Sequence, residues 1–308
     1  MKPLRHILTL GDLDVEELKT ILKIAEELKA DFKRGIRPKR LDGKVLGLIF
    51  EKMSLRTRVS FEAGMAHLGG GSMLLEERHI GLGSRESIPD VSRVLSSMVD
   101  CISFRAKKHE TVCEFAKYSS VPVINALTDK AHPCQALADM MTIKEEFGTF
   151  EDVKIAWIGD SNNVAASLVE ASAMLGCQIA VSSPKGHEFS DEEIRALTAQ
   201  RQPGFKLARI EDPSEAVRGA RVVYTDVWVS MGQEAEEKER LEKFRPYQVN
   251  AELMGLARTE AIFMHCLPAR RGLEVTDEVI DSPKSRVVEE AANRMHAQKG
   301  LLVWLLEN

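Results

Sequence analysis

The chain has 308 residues, which is longer than one typical domain. This length predicts two domains of about 150 residues each. Lys and Arg number 42 against 47 Asp and Glu, a formal net charge of -5 that argues against a nucleic-acid or membrane-surface partner. The five cysteines are scattered without CxxC spacing, so we expect a reducing, cytoplasmic setting and neither a disulfide framework nor a metal site. No apolar run approaches the ~20 residues that cross a bilayer.

The apolar pattern alternates between helical and strand character along the chain. Residues 14–33 repeat apolar side chains every three or four positions, and Asp14 with Glu17 forms a capping box, so a helix is expected there. Continuous apolar runs predict strands buried on both faces at residues 45–50, 101–105, 121–127, 154–159, 178–183, 221–227 and 261–267. Further helices are predicted at residues 57–68, 89–99, 109–118, 132–147, 163–175 and 191–201. This alternation predicts an α/β fold with two doubly wound, parallel-sheet domains.

Polar residues follow the first buried strand. In an open parallel sheet, ligands bind beyond the carboxyl ends of the strands, where loops lead into helix N-termini. The segment SLRTR, residues 54–58, occupies such a place. Helix N–H groups, the Ser54 and Thr57 hydroxyls and the Arg56 guanidinium would together bind an anion. The alternative is a basic surface turn in which Ser54 only caps the helix.

A second candidate lies in AHPCQALADMM, residues 131–141. His132 and Gln135 share a face in the first turn of the predicted helix, and Pro133 suits the first helical position. The helix dipole disfavours a charged imidazole, which leaves a neutral ring able to donate to a carbonyl oxygen. A purely capping histidine is the alternative. Arg105 ends the strand ISFR and would not be singled out alone.

The second half of the chain has two further polar strand ends. GDSNN, residues 159–163, follows a strand but lacks the GxGxxG fingerprint, so a dinucleotide site is not expected. DVWVSMG, residues 226–232, places Asp226 at a strand end, where its carboxylate would bind a substrate amine or cap a helix. The charge-dense segment EAEEKERLEKF, residues 234–244, is interpreted as a solvated helix.

The last predicted strand ends in MHCLPA, residues 264–269. Cys266 is either a nucleophile or, as buried cysteines mostly are, a small apolar filler; the filler is favoured by the residues alone. The bond from Leu267 to Pro268 is a candidate cis peptide, because only X-Pro bonds adopt cis at low cost. A rigid turn that exposes backbone carbonyls would result.

The order of these motifs carries a family resemblance. SLRTRVSFE, HPCQALADMMT, WIGDSNN, DVWVSMGQE, FMHCLPA and EEAANRMHA resemble the successive signatures of the aspartate/ornithine carbamoyltransferase family, over essentially the whole chain. The resemblance implies two α/β domains with the active site in the cleft between them. Residues 1–144 with a C-terminal helix at 289–308 would form the carbamoyl phosphate-binding domain, and residues 145–288 the ornithine-binding domain.

The same resemblance implies roles for individual residues. The carbamoyl phosphate site would comprise Ser54, Leu55, Arg56, Thr57, Arg105, His132, Gln135, Cys266, Leu267 and Arg294. The ornithine site would comprise Asn163, Asp226, Ser230 and Met231. The catalytic residues among them would be Arg105, His132, Asp226 and Cys266.

The implied reaction transfers the carbamoyl group of carbamoyl phosphate to the δ-amine of L-ornithine, giving L-citrulline and phosphate in arginine biosynthesis or breakdown. No cofactor or metal is implied, since the leaving phosphate is already activated. Homotrimers or multiples of trimers are expected in the cytoplasm, with the two small-molecule substrates and no nucleic acid or membrane as partners. The alternatives are a transferase for an N-acylated ornithine, putrescine or aspartate, and a binding or regulatory protein that keeps the fold without the activity.

Two positions depart from the family pattern. Leu55 replaces the commonest threonine, and the lost hydroxyl donor is worth about 1 kcal/mol if it bonds the phosphate. Some relatives that act on N-acylated ornithines carry leucine there, whereas the SMG loop favours free ornithine. Gly81 stands where many relatives have a Gln or His that reaches into a neighbouring subunit's site. Either His79 substitutes for that residue, or the contact is absent.

Overall fold

The computed structural model describes residues 4–76, 80–82, 84–229 and 234–307. The strands are β1 (Val45–Phe50), β2 (Gly71–Glu76), β3 (Cys101–Arg105), β4 (Val123–Leu127), β5 (Lys154–Ile158), β6 (Gln178–Ser182), β7 (Lys206–Arg209), β8 (Val222–Thr225) and β9 (Ile262–Met264). The α-helices are α1 (Val15–Lys33), α2 (Leu55–His67), α3 (Ile88–Ser96), α4 (His109–Tyr118), α5 (Pro133–Phe147), α6 (Asn163–Leu175), α7 (Asp191–Leu197), α8 (Pro213–Val217), α9 (Glu237–Phe244), α10 (Ala251–Gly255), α11 (Asp277–Ile280) and α12 (Val287–Leu306). Single 3-10 turns are formed by Leu10–Asp12, Glu234–Glu236 and Arg245–Tyr247.

The chain divides into two compact units, unit 1 (Met1–Met141 with Ala292–Asn308) and unit 2 (Thr142–Ala291). Unit 1 has a four-stranded sheet of order β2-β1-β3-β4, and all three of its strand pairs are parallel. The register between β3 and β4 shifts at Arg105, which pairs with Leu127. Such an irregularity re-aims a side chain at the end of a strand. Unit 1 thus places Arg105 at the carboxyl edge of its sheet.

Unit 2 has a five-stranded sheet of order β7-β6-β5-β8-β9, again parallel throughout. Its central strands β5 and β8 are fully buried in their apolar positions, and the Trp157 and Tyr224 rings stack with centroids 5.1 Å apart. The predicted α/β fold with two parallel sheets is confirmed. None of the helices in the described part of the chain is both long and apolar enough to cross a membrane.

Strands β2 and β7 were not predicted from the sequence. Both lie at an edge of their sheet, and both leave side chains partly or largely exposed. An edge strand does not need the continuous apolar run that marks a strand buried on both faces. The seven predicted strands are the ones with mostly buried residues, and the structure contains all of them.

Helix α12 packs closely on α1 within unit 1. A Cβ atom added at Gly300 would lie 2.6 Å from the Ile21 carbonyl oxygen, so only glycine allows this approach. The preceding residue, Lys299, is only 1% exposed, and its Nζ donates to the Leu28 carbonyl at 3.4 Å. Its ammonium also lies 5.6 Å from the centre of the Phe32 ring. Burial lowers the pKa of Lys299 from 10.5 to about 8.

Candidate functional site

The SLRTR segment forms the start of helix α2 in unit 1. Ser54 is the N-cap, and its Oγ accepts from the Thr57 N–H at 3.3 Å, so the predicted cap is confirmed. Leu55, the first helical residue, is 75% exposed and brings no polar side-chain atom to this loop. What it does offer is the backbone N–H of a helix N-terminus.

The two arginines of this segment behave differently. Arg58 is exposed and pairs with Glu62 one turn later, at 3.2 Å. Arg56 is half-buried, and among the described residues its guanidinium has no hydrogen-bond or ion-pair partner. The charge of Arg56 also acts on the buried His132. Arg56 is therefore the arginine whose donors are available to a bound anion.

Three donors converge on the Thr57 hydroxyl, which is 1% exposed. Arg105 Nη1 and Arg294 Nη2 each approach Thr57 Oγ1 to 3.4 Å, and Ser54 Oγ lies 3.0 Å from it. Both guanidiniums are buried. Two positive groups around one hydroxyl beside a helix N-terminus make an anion-binding arrangement.

His132 lies directly before helix α5, which begins with Pro133 as predicted. Burial, followed by the charges of Arg294, Arg105 and Arg56, holds the pKa of His132 well below 6.5. Burial among guanidiniums thus favours the neutral imidazole that the sequence predicts. A neutral ring carries one N–H and can donate it to a carbonyl oxygen.

Gln135 links this cluster to a residue that the sequence did not single out. Its Oε1 accepts from Arg294 Nη1 at 2.7 Å, and its Nε2 donates to Asp139 Oδ1 at 2.8 Å. All three side chains are nearly or fully buried. The available signal was the spacing of Gln135 and Asp139, four residues apart on one helix face.

In unit 2, Asp226 follows β8, and both of its carboxylate oxygens are engaged. Oδ2 accepts from Asn162 Nδ2 at 2.8 Å, and Oδ1 accepts from the Val227 N–H at 2.8 Å. Asn162 also caps helix α6, whereas the predicted site residue Asn163 is the first residue of that helix. The helix-cap alternative for Asp226 is wrong, because residues 227–229 are not helical.

Cys266 and Leu267 lie in the turn after β9. The Cys266 thiol donates to Asp226 Oδ1 at 3.1 Å, and the side chain is only partly buried, so the apolar-filler interpretation is wrong. The Leu267–Pro268 peptide is cis, as the sequence suggested, and Leu267 has φ of 57°. The structure brings Asp226 and Cys266 together, as expected of two residues assigned to one site.

Buried polar side chains support this turn from below. His265 Nδ1 accepts from the Leu267 N–H at 2.9 Å, so the ring proton sits on Nε2, which lies 3.1 Å from Glu274 Oε1. Glu290 accepts from the His265 N–H at 3.0 Å and from the Tyr224 hydroxyl at 2.9 Å. These hydrogen bonds therefore hold in place the ends of β8 and β9, which carry the Asp226 carboxylate and the Cys266 thiol.

The donor atoms of Asp226, His265 and Cys266 lie within 4.8 Å of one another, as a metal site would require. Both ring nitrogens of His265 are already engaged, however, by Leu267 and Glu274. A carboxylate and a thiol remain, two ligands fewer than a four-coordinate site needs. Ser230, Met231 and His79 lie outside the described residues.

Arg240 of helix α9 joins three loops of unit 2. It is 4% exposed, its Nε donates to the Trp228 carbonyl at 2.6 Å, and its Nη2 pairs with Asp160. Its Nη1 lies 3.4 Å from His187 Nδ1. The predicted helix within 234–244 is present, but the interpretation of the segment as wholly solvated is wrong at Arg240.

Comparison with known proteins assigns both units. The family model described as the aspartate/ornithine carbamoyltransferase carbamoyl-P binding domain matches residues 5–145, and the Asp/Orn binding domain of the same family matches residues 151–305. Ornithine carbamoyltransferase from Bacillus subtilis is 52% identical over 303 residues, 98% of this chain and 94% of the relative. The Pyrococcus abyssi ornithine carbamoyltransferase is 51% identical, with 98% and 96% covered.

Solved structures agree with these sequence relatives. Ornithine carbamoyltransferase from Pyrococcus furiosus superimposes with a TM-score of 0.93 at 49% identity, covering 98% of this chain and 97% of that one. The anabolic enzyme from Campylobacter jejuni gives 0.92 at 39% identity, covering 98% and 99%. These relatives identify the protein, with its two parallel-sheet units and polar clusters at the strand ends, as an α/β group transferase. The chain belongs to the aspartate/ornithine carbamoyltransferase family.

Proposed function

We propose that the protein transfers the carbamoyl group of carbamoyl phosphate to the δ-amine of L-ornithine, giving L-citrulline and phosphate. The observation that carries the proposal is the convergence of Arg105 and Arg294 on Thr57 at the start of α2, which suits the phosphate of a small acyl phosphate. Relatives at about half sequence identity over 98% of the chain bear the name ornithine carbamoyltransferase.

In this proposal, unit 1 binds carbamoyl phosphate. Ser54, the backbone of Leu55, Arg56 and Thr57 hold the phosphate together with Arg105 and Arg294. His132, neutral and buried, donates to the carbamoyl oxygen, and Gln135 faces the carbamoyl amide. These donors would lower the barrier because negative charge grows on the carbonyl oxygen and on the departing phosphate during the reaction.

Unit 2 would bind the amine substrate. Asn163, Asp226, Ser230 and Met231 are assigned to the α-amino and α-carboxylate groups of ornithine, by the family match of their motifs. Cys266 and the Leu267 carbonyl are assigned to the reacting δ-amine and the carbamoyl nitrogen. The Asp226 carboxylate, oriented by Asn162 and Cys266, is suited to an ammonium group.

The chemistry is attack by a neutral amine on the carbonyl carbon. The nitrogen–carbon bond forms, the carbon–oxygen bond to phosphate breaks, and the amine proton leaves, either to solvent or to the departing phosphate. Holding the reactants in line converts a bimolecular reaction into a unimolecular one, which supplies much of the rate enhancement. No side chain needs to become covalently attached to the carbamoyl group.

We propose the domain assignment that the motifs imply, with residues 1–144 and 289–308 binding carbamoyl phosphate and residues 145–288 binding ornithine. The matched family domains, 5–145 and 151–305, support the first boundary. A cytoplasmic location is proposed because all five cysteines are free thiols, as in a reducing compartment.

A homotrimer is proposed because the family resemblance implies one, and unit 1 has apolar side chains that an interface between chains would cover: Met53, Leu55, Val59 and Met98 are each at least half exposed. Exposed apolar groups of this kind favour protein interfaces. Sedimentation should give a mass of three chains or a multiple of it, lowered by Met98→Glu. Val288→Glu, at another exposed apolar position, is the control that keeps the assembly; a monomeric wild-type protein would contradict the assignment.

An amine screen tests the reaction. The purified protein is given carbamoyl phosphate with L-ornithine, N-acetyl-L-ornithine, N-succinyl-L-ornithine, putrescine or L-aspartate, and the ureido product is measured. We expect kcat/KM for ornithine to exceed the others by at least about a hundredfold. The N-acylated ornithines and putrescine lack the free α-ammonium that the Asp226 carboxylate would bind, and aspartate has no δ-amine. A product from another amine, and no citrulline, would replace ornithine as the substrate.

A further inference from the structure

A fully buried asparagine interrupts the apolar run of strand β4. Asn125 stands in VINAL between Ile124 and Ala126, and all three residues are inaccessible to solvent. A side-chain amide is costly to bury unless it forms hydrogen bonds. The partners of the Asn125 amide therefore indicate which part of unit 1 depends on it.

The Asn125 amide joins the N-terminal segment to the loop that leads into helix α5. Its NH₂ group has two protons to donate. The Leu8 carbonyl accepts at 2.8 Å, and on the other side Thr128 Oγ1 lies at 3.3 Å and the Ala131 carbonyl at 3.4 Å. The Ala131 carbonyl also accepts from the Thr128 N–H at 2.9 Å. The peptide between Ala131 and His132 is thus tied to the end of β4.

The N-terminal segment is itself anchored to β4. The Ile7 N–H donates to the Val123 carbonyl at 2.8 Å, and the Asn125 N–H donates to the Ile7 carbonyl at 2.8 Å. The Leu8 N–H donates to Asp12 Oδ2 at 2.7 Å. The Leu8 carbonyl is therefore a fixed acceptor for the Asn125 amide.

Asn125 also contacts the residue on the far side of His132. The buried Cys134 thiol donates to the Asn125 carbonyl at 3.6 Å. Pro133, which lies between His132 and Cys134, has no N–H with which to hold the backbone. Ala131 and Cys134, which flank the pair His132-Pro133, are therefore both tied to Asn125.

We infer that Asn125 is a positioning residue for His132: its contacts before and after the histidine aim the imidazole at the carbamoyl oxygen. The inference rests on the proposed function, in which His132 donates to that oxygen. An N–H···O hydrogen bond weakens steeply when its angle falls below about 120°. A backbone shift at Ala131 that turns the ring would therefore weaken the contact with the carbonyl oxygen and leave the phosphate contacts of Arg105 and Arg294 in place.

The experiment compares two stable ligands, one with a carbonyl group and one without. Phosphonoacetamide has a phosphonate and a carbonyl oxygen, methylphosphonate has the phosphonate alone, and calorimetry gives the dissociation constant of each without turnover. Asn125→Ala, His132→Ala and the double variant form a thermodynamic cycle. Ser92→Ala is the matched control, because it deletes another buried hydrogen bond of unit 1, from Ser92 Oγ to the Phe115 carbonyl.

We expect Asn125→Ala to weaken the binding of phosphonoacetamide at least about fivefold, as the loss of one hydrogen bond would, and the binding of methylphosphonate less than about twofold. Ser92→Ala should change neither affinity by more than about twofold. In the His132→Ala background, Asn125→Ala should weaken phosphonoacetamide binding by less than about twofold. Two substitutions that remove the same contact are not additive.

Three results would overturn the inference. The first is an affinity of Asn125→Ala for phosphonoacetamide within about twofold of the wild type. The second is an equal loss for both ligands, which a merely structural role of Asn125 would give. The third is an undiminished loss in the His132→Ala background. If Asn125→Ala does not fold by circular dichroism, Asn125→Ser, which keeps one O–H donor, takes its place with an expected loss of at least about threefold.

The same cycle separates this inference from the proposed function. If His132→Ala binds phosphonoacetamide as tightly as the wild type, the contact proposed for His132 is refuted and the inference falls with it. A loss in His132→Ala without a loss in Asn125→Ala refutes the role of Asn125 alone. Citrulline production by the wild type is measured separately, and its absence with the expected cycle would refute the proposed reaction alone.

Discussion

The Cys266 thiol donates to Asp226 Oδ1 at 3.1 Å, from the turn after β9 to the end of β8. Asn162 donates to the other carboxylate oxygen from the end of β5. These hydrogen bonds fix the plane of the Asp226 carboxylate. They connect residues at the ends of three neighbouring strands, β5, β8 and β9. A carboxylate held in this way can orient a bound ammonium group and not merely attract it.

Replacing Cys266 with alanine removes one of the three hydrogen bonds to the Asp226 carboxylate, the others coming from Asn162 and the Val227 N–H. We expect kcat/KM for ornithine to fall about tenfold, since one hydrogen bond to a charged group is worth about 1.5 kcal/mol. Asp226→Asn should lower kcat/KM for ornithine at least about a hundredfold, because it removes the charge as well. Steady-state kinetics checks both, with Cys113→Ala as the control. Equal activity of Cys266→Ala and the wild type would remove the thiol from the mechanism.

The two arginines of SLRTR should differ in how much the same substitution lowers activity. Arg56→Gln is expected to lower kcat/KM for carbamoyl phosphate about a hundredfold, because it removes a donor aimed at developing charge. Arg58→Gln should change it less than about twofold, since Arg58 is exposed and only pairs with Glu62. Initial rates at varied carbamoyl phosphate measure both. A larger effect at Arg58 would mean that the wrong arginine has been assigned.

His132 should remain neutral where free histidine titrates. In ¹⁵N-histidine NMR spectra, its signals should keep the neutral form from pH 8 to pH 5.5, because burial and three guanidiniums lower its pKa. The His132→Gln spectrum identifies the signals. The unfolded chain binds this proton near pH 6.5 and the folded chain does not, so His132 lowers the free energy of unfolding as the pH falls below 6.5. A midpoint near 6.5 in the folded protein would contradict the burial argument.

The buried ammonium of Lys299 should lower the free energy of unfolding at neutral pH. Its pKa of about 8 in the folded chain lies below the 10.5 of the unfolded chain, so folding penalises the ammonium fully below pH 8 and not at all above pH 10.5. Lys299→Met should therefore raise the free energy of unfolding by about 1 to 2 kcal/mol at pH 7, and by less at pH 10.

Urea unfolding at the two pH values measures the effect of Lys299→Met. Lys23→Met is the control, because Lys23 is exposed on α1 and surface changes of this kind stay within about 0.5 kcal/mol. A variant less stable than the wild type at pH 7 would show that the ammonium contacts with Leu28 and Phe32 outweigh its desolvation.

How far the sequence predicts this molecule depends on burial. Strands such as Val45–Phe50 were predicted because burial on both faces requires a continuous apolar run. Strands β2 and β7 lie at the sheet edges without such a run, and they were therefore not predicted. The strand-end segments that carry Arg56, Asp226 and Cys266 were singled out by their place in the α/β pattern, but a site role for Cys266 came only from the family resemblance. Asp139 and Arg240 were not, because each acts through a partner that only tertiary packing brings close.

Arg240 has a consequence for how unit 2 moves. Its guanidinium touches the loops after β5, β6 and β8 at Asp160, His187 and Trp228, and Asp160 is two residues from Asn162. These loops therefore cannot open independently without breaking shared contacts. In hydrogen exchange, their backbone amides should lose protection as one cooperative unit, so the surroundings of Asp226 would be either wholly assembled or wholly released.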